Sequence, residues 1–376
     1  AEGLSLLAIP FFVCAGIFMN YTGVTKRIMN CCEVLTARMP GGLAQVNILL
    51  STLMGGLSGS SLADAAMQCK MLVPTMESKG YSKSFSTVIT AASGMVVPLI
   101  PPGVGLIIYG CINNISIGKL FIAGIGPGIV LCVTLMIFTH FLSKKKGYLP
   151  SRTTKIPVSE KIAAVRPAFL PLLLPIIIIG GVRIGVFTAS EAGTVAIVYA
   201  VLLGLLYKEL TLKNVMQGCK ETVTTTASIM LIVAAATCFS WILTKEQIPQ
   251  QFSQWMISNI HNKYVFLIMV NIFLLIVGMF IEGNASMIVL APLLHPVAMA
   301  YGIDDIHFAM VYIFNCTIGA FTPPMGTLMF VSCGITKCPT KDFIKEAVPF
   351  YILFAIDIIV LTYIPQLTTF LVNVFY

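Results

Sequence analysis

Apolar stretches long enough to cross a lipid bilayer recur along most of this chain, at 121–142 and 350–374 among others. Lipid cannot pair a backbone N–H or C=O, so such stretches must satisfy their own backbones, as helices do. Composition points the same way. The 376 residues are 57% hydrophobic and 10% charged, with a mean hydropathy of +0.93, whereas a soluble domain carries roughly 25% charged residues. The expected class is an all-α polytopic membrane protein forming one unit. Its first residue is Ala1, at the head of an apolar segment, so the chain reads as a fragment or processed product with helices missing upstream. Nothing resembles a cleavable signal peptide.

The net charge of +8 does not imply a nucleic-acid partner, because of where the charge lies. Lys144, Lys145, Lys146, Arg152, Lys155, Lys161 and Arg166 crowd into the single segment 143–166. This is the positive-inside bias of a protein in the cytoplasmic membrane, with that segment on the cytoplasmic side. The partner it implies is the lipid bilayer. The eleven cysteines are scattered and mostly lie in apolar segments, without a CxxC pair or Cys/His cluster. They read as small buried residues.

Along the chain the expected order is a span at 4–20, an amphipathic interfacial segment at 24–39 and a hairpin at 41–78 around Leu57-Ser58-Gly59-Ser60-Ser61. The interfacial segment places Ile28, Cys31, Leu35 and Met39 on one face. Each hairpin arm of about 16 residues covers roughly 24 Å, short of the ~30 Å hydrocarbon core, so the hairpin reads as re-entrant. An interrupted span at 84–113 breaks at Pro98-Leu99-Ile100-Pro101-Pro102-Gly103, and a plain span follows at 121–142. These elements make a first unit, 1–149. The basic segment and linking spans at 167–182 and 187–207 fill 150–220. A second unit, 221–376, repeats the order: a span at 221–243, an interfacial segment at 246–259, a hairpin at 264–300 around Glu282-Gly283-Asn284-Ala285, an interrupted span at 306–334 broken at Phe321-Thr322-Pro323-Pro324-Met325-Gly326, and a final span at 350–374.

The residues repeat as well. Pro74 matches Pro296, Gly80 matches Gly302, Pro101-Pro102 match Pro323-Pro324, and Lys119, Phe121, Ile122 and Pro127 match Lys341, Phe343, Ile344 and Pro349, all 222 positions on. The hairpin tips need a two-residue slip, which pairs Gly59 with Gly283. An odd number of crossings separates the copies, so they face opposite sides of the membrane. Charge agrees: Glu77, Lys79 and Lys83 fall on the basic inner side, Asp304 and Asp305 on the outer.

Non-helical backbone at membrane depth survives only inside protein or around a polar cavity. Two tips and two Pro-Pro breaks supply four such places, and inversion brings them together. The helices that start near Ser61 and Ala285, and those after Pro101-Pro102 and Pro323-Pro324, present free N–H groups and positive dipole ends that suit a carboxylate. Asp64, one turn beyond the first tip, is either part of this acid site or a capping and packing residue. The preceding half-helices end in carbonyls which, with oxygens of Ser58, Ser60, Asn284 and Thr322, suit a hard cation such as Na⁺. Glu282 is either a cation ligand, a proton carrier or a water-exposed tip residue. Lys70 is expected to find a partner elsewhere in the bundle, and His140 and His295 are read as structural.

At these residues the chain resembles the large membrane subunit, the M subunit, of tripartite ATP-independent periplasmic (TRAP) transporters. The matching stretches are Ile9-Pro10-Phe11-Phe12 with Ala15-Gly16, Pro40-Gly41-Gly42-Leu43-Ala44, Gly56-Leu57-Ser58-Gly59-Ser60-Ser61-Leu62-Ala63-Asp64, Pro74-Thr75-Met76, Ile100-Pro101-Pro102, Ala291-Pro292-Leu293-Leu294 and Ile318-Gly319-Ala320-Phe321-Thr322-Pro323-Pro324-Met325-Gly326. The resemblance implies a Na⁺-driven importer of an organic acid such as a C4-dicarboxylate or a sialic acid, in a bacterial inner membrane, with an elevator-type moving domain. It implies two partners, a small four-helix membrane subunit and a soluble periplasmic binding protein. It further implies one Na⁺ site at Ser58, Gly59, Ser60, Gly94 and Val97, a second at Gly283, Asn284, Gly319, Thr322 and Met325, and substrate between them. Na⁺ is the only cofactor implied, with no organic cofactor.

Two rival readings remain at this point. A stand-alone divalent-anion/sodium symporter shares the inverted architecture. An intramembrane serine protease would use Ser58 of Gly56-Leu57-Ser58-Gly59, which needs a base within hydrogen-bond reach.

Overall fold

The structure, a computed structural model, describes residues 7–152, 154 and 156–376. The start of the first expected span, 4–6, and Lys155 lie outside them. The described residues form seventeen helices and no strand: α1 (Ala8–Asn20), α2 (Val24–Thr36), α3 (Gly42–Ser58), α4 (Ser61–Ser78), α5 (Lys83–Gly94), α6 (Val104–Asn113), α7 (Ile117–Lys145), α8 (Val158–Arg183), α9 (Ala189–Leu206), α10 (Leu212–Lys245), α11 (Ile248–Asn259), α12 (Lys263–Phe280), α13 (Gly283–Ala300), α14 (Asp305–Gly319), α15 (Thr327–Thr336), α16 (Thr340–Tyr363) and α17 (Gln366–Phe375). By length and composition, among the described residues five helices can cross a membrane (α7, α8, α9, α12 and α13), or seven if the bent pairs α1–α2 and α16–α17 each count as one span. The chain is a multi-pass membrane protein.

Local chemistry explains the boundaries that matter. Helix α3 ends at Ser58 because Gly59 turns left-handed, φ 60°, and donates its N–H to the Gly55 carbonyl. Ser60 then caps α4, its hydroxyl accepting from the Ala63 N–H at 3.4 Å. In the second hairpin Glu282 caps α13, its carboxylate accepting from the Ala285 N–H at 3.0 Å. Both expected interrupted spans are broken, between Gly94 and Val104 and between Gly319 and Thr327. The Pro101-Pro102 and Pro323-Pro324 bonds in these breaks are cis.

Packing follows one pattern twice. Helix α3 packs on α5 as α12 packs on α14, and α4 on α5 as α13 on α14. The pairing also crosses over: α4 lies against α15 and α13 against α6, while α5 meets α16 and α14 meets α7. Exchanging α3–α7 for α12–α16 maps each of these contacts onto another. Buried amides hold each first arm to its broken helix. Thr90 Oγ1 donates to Asn47 Oδ1 at 2.9 Å between α5 and α3, and Asn315 Nδ2 donates to Asn271 Oδ1 at 2.8 Å between α14 and α12. Fully buried aromatic rings, among them Phe85, Tyr109, Phe121, Phe308, Tyr312 and Phe343, fill the centre.

Several details differ from the sequence reading. The tips need no slip: Ser60 and Glu282, 222 positions apart, are both N-caps. Gly59 therefore corresponds to Ile281, whose extended φ of −115° needs no glycine, so matching glycine to glycine misplaced the register. The arms of the second hairpin are 18 residues each, about 27 Å, and both are long enough to count as spans. The final span bends by 49° between Tyr363 and Gln366, where Pro365 interrupts the helix. Helix reaches further into the basic segment than expected: α7 runs to Lys145, and Lys161 and Arg166 lie on α8. Of the expected face, Ile28 and Cys31 on α2 are buried, whereas Leu35 on α2 and Met39 beyond its end are exposed. The helix stops at Thr36, whose hydroxyl donates to the Cys32 carbonyl and lies 3.2 Å from that of Gly42. Lys70 is exposed and makes no ion pair among the described residues. Helix α10 contains the expected span 221–243, with Thr222, Thr224, Thr225, Thr226 and Ser228 in its first half.

Candidate functional site

A cavity of about 440 Å³ opens where the two hairpin tips and the two breaks converge. That volume lies in the range of small-molecule sites. Its wall takes Ser58, Gly59, Ser60 and Ser61 from the first tip, Pro98, Val104 and Gly105 from the first break, Glu282, Gly283 and Asn284 from the second tip, and Thr317, Ala320 and Thr327 from either side of the second break. Helix α1 closes one side with Gly16 and Asn20, and α10 another with Thr225 and Ser228.

The helix ends define its electrostatics. The starts of four helices, α4, α6, α13 and α15, all contribute wall residues. Each start carries N–H groups without an intrahelical partner and the positive end of the dipole. The C-terminal ends of α3 and α14 face the same space through Ser58 and Thr317. Among the described residues, Glu282 is the only charged side chain of the wall, and no Lys, Arg or His lines it. Such a place holds an anion at helix starts and offers oxygen ligands to a cation at helix ends.

Contacts lock the two halves together. The Val104 N–H donates to the Gly59 carbonyl at 3.4 Å, joining the first tip to the first break. Across the cavity Asn284 Oδ1 lies 3.9 Å from where a Cβ on Gly105 would sit, bringing the second tip against the first break. Ser58 is 7% exposed, and its Oγ has no hydrogen-bond partner among the described residues. His295 instead meets the Tyr109 hydroxyl at 3.3 Å, so no Ser58–histidine pair exists among the described residues.

The expected site residues divide into two groups. Ser58, Gly59, Ser60, Ser61, Gly283 and Asn284 share the cavity wall. Gly94, Val97, Pro101, Pro102, Ala285, Gly319, Thr322, Pro323, Pro324, Met325 and Asp64 stand behind it or beside it. Gly94 and Val97 are buried against the first tip, where a Cβ on Gly94 would approach the Ser61 carbonyl at 3.4 Å. Gly319 is pressed against Gly278 of α12, with Cα of Gly278 only 2.6 Å from the site of a Cβ. The Thr322 hydroxyl donates to the Ile318 carbonyl at 2.8 Å, and Pro324 and Met325 are exposed.

Asp64 belongs to a buried polar cluster behind the first tip. Its Oδ2 accepts from the Ser51 hydroxyl and the Gln68 amide, both at 2.7 Å, and Ser51 Oγ lies 3.1 Å from Ser93 Oγ. The cluster ties α3, α4 and α5 together. Two other acidic residues find structural partners: Glu191 closes a capping box with Thr188 at the start of α9, and Asp357 accepts from Thr134 at 3.0 Å between α16 and α7. Sequence reasoning missed Asn20, Thr225 and Ser228. The hydroxyl run Thr222–Ser228 inside an apolar helix was the signal, since polar side chains in a span face a cavity or a neighbour.

The relationships of the whole chain agree with this arrangement. It is 40% identical over 375 residues to the sialic acid TRAP transporter large permease protein SiaM of Vibrio cholerae, covering 100% of this chain and 87% of that protein. It is 36% identical over 374 residues to the C4-dicarboxylate TRAP transporter large permease protein DctM of Pseudomonas aeruginosa, covering 99% and 87%. It is also 36% identical over 368 residues to the 2,3-diketo-L-gulonate TRAP transporter large permease protein YiaN of Escherichia coli, covering 98% and 86%. The family model of the DctM component of the tripartite ATP-independent periplasmic transporter matches residues 1–367. The chain therefore belongs to the DctM family, the large permease proteins of TRAP transporters.

Proposed function

We propose that this permease imports an organic acid together with Na⁺, receiving the acid from a soluble periplasmic binding protein and working beside a small four-helix membrane subunit. The observation that carries the proposal is the convergence of four helix starts and two helix ends on one cavity. A carboxylate is held at the helix starts. Na⁺ is held by carbonyl and side-chain oxygens at the helix ends, in one site at Ser58, Gly59, Ser60, Gly94 and Val97 and in another at Gly283, Asn284, Gly319, Thr322 and Met325. The unpartnered Ser58 Oγ is a ready ligand for the first. Ser61, Ala285 and the Pro101-Pro102 and Pro323-Pro324 breaks shape the acid site, and Asp64 braces the first tip from behind.

In this reading the units 1–149 and 221–376 are inverted repeats joined by 150–220, and the exchange symmetry of their packing supports that. Both hairpins are re-entrant, from opposite sides, since even the 18-residue arms of the second, about 27 Å long, stop short of the ~30 Å hydrocarbon core. The basic segment faces the cytoplasm and the protein resides in a bacterial inner membrane. The tips and breaks move together as the elevator that carries the cavity across. Delivery by a binding protein separates this proposal from a stand-alone symporter, whose uptake needs no soluble partner.

Uptake by the reconstituted permease, with its small subunit and loaded binding protein, is expected to vanish when Na⁺ is replaced by K⁺ at fixed pH. Undiminished uptake in K⁺ would rule out sodium coupling.

A further inference from the structure

The two tips occupy equivalent positions but differ in charge. Ser60 and Glu282 stand 222 residues apart, and each caps the second arm of its hairpin. The Ser60 cap is neutral and long, 3.4 Å to the Ala63 N–H. Beside it the buried Ser58 hydroxyl lies unpartnered in the cavity wall. That helix start is free to take an external anion. At the other tip the protein supplies its own carboxylate. Glu282 Oε2 accepts from the Ala285 N–H at 3.0 Å and Oε1 from the Asn284 amide at 3.0 Å. The positive end of α13 is already compensated, and an acid group arriving there meets a like charge, with no Lys, Arg or His among the described wall residues to offset it.

We infer that the cavity selects acids bearing one carboxylate, held at the Ser58–Ser61 tip, with hydroxyl or amide groups facing Glu282 and Asn284, and that Glu282 is the residue that rejects a second carboxylate. This rests on the proposed acid-import function. Asp64 also lies in the first turn of α4, but its carboxylate is bonded to Ser51 and Gln68 behind the tip and off the cavity wall, so among the described residues only the second tip presents a carboxylate to the cavity, and one Na⁺ at each tip keeps that difference. Hydroxyl and amide N–H donors complement the Glu282 oxygens, which accept only.

The test is direct binding to the purified full-length permease in Na⁺, with gluconate as the one-carboxylate polyol and succinate as the dicarboxylate of similar flexibility. Gluconate should bind about tenfold more tightly than succinate or better, the scale of a like-charge contact in a partly dry site. In Glu282→Gln, which keeps an oxygen to cap α13, that ratio should collapse towards one. In Glu282→Asp, which keeps the charge, it should persist. Succinate binding as tightly as gluconate in the native protein, or a ratio unchanged in Glu282→Gln, overturns the inference while leaving acid import standing. Binding of neither acid overturns both.

Discussion

Replacing Gly59 by valine is expected to reduce Na⁺-dependent uptake at least about tenfold while the protein still reaches the membrane. Two costs add at this position. The backbone is left-handed, φ 60°, which disfavours a side chain by about 1–2 kcal/mol. A Cβ would also stand 2.7 Å from the Pro102 carbonyl oxygen, a backbone atom of the first break that cannot swing aside, and overpacking of that kind costs about 1–3 kcal/mol. Relief requires parting the first tip from the first break, so the Gly59–Val104 hydrogen bond is lost and the cavity opens at its floor. Ile281→Ala at the equivalent position should be mild, because Ile281 is extended and 46% exposed. Uptake assays on both variants, normalised to permease in the membrane, check the contrast. Near-native uptake by Gly59→Val would contradict the account of the tip.

Gly319→Val is expected to have an effect of similar size through the other half. A Cβ there would lie 2.6 Å from Cα and 2.8 Å from C of Gly278. Two backbones touch where α12 crosses α14, and neither can yield without separating the helices. The cost is about 1–3 kcal/mol, and it falls on the arm that leads into the second tip. The apparent affinity for Na⁺ should drop about tenfold and the thermal midpoint of the purified permease should fall. Gly334→Ala, where nothing lies within 4 Å of the added carbon, should alter neither. The measurement is Na⁺-dependent thermal stabilisation of the three proteins. Equal stabilisation of Gly319→Val and native protein would remove Gly319 from any role in holding the second tip.

Much of this architecture was legible because its determinants are local. Two adjacent prolines remove consecutive backbone donors, and both Pro-Pro pairs lie in breaks, whereas single prolines such as Pro127 and Pro175 sit inside helices. A small, glycine-containing centre between two apolar arms gave the first tip to the residue. The second tip was harder, since its turn uses an extended isoleucine followed by a glutamate cap, and neither residue type advertises a turn. Only the shift of 222, applied without a slip, would have placed it. The site was half legible for a similar reason. Residues at the tips are wall residues because the turn itself faces the cavity. Those in and around the breaks, such as Val97, Gly319 and Thr322, pack or hydrogen-bond locally, which depends on how distant helices cross. The α10 contribution was missed because a helix outside both expected hairpins and breaks carries no broken backbone to draw the eye. Lys70 misled, since a lone cation in an apolar arm suggests a partner, yet its side chain is simply exposed.

The central claim is that both tips and both breaks serve one shared site. The most direct measurement is an electron cryomicroscopy map of the full-length permease in a lipid nanodisc with Na⁺ and a transported acid. The account predicts density for the acid within the cavity, its carboxylate at Ser58–Ser61 and its far end at Glu282–Asn284. Density for the acid elsewhere, with that cavity unoccupied, would contradict it.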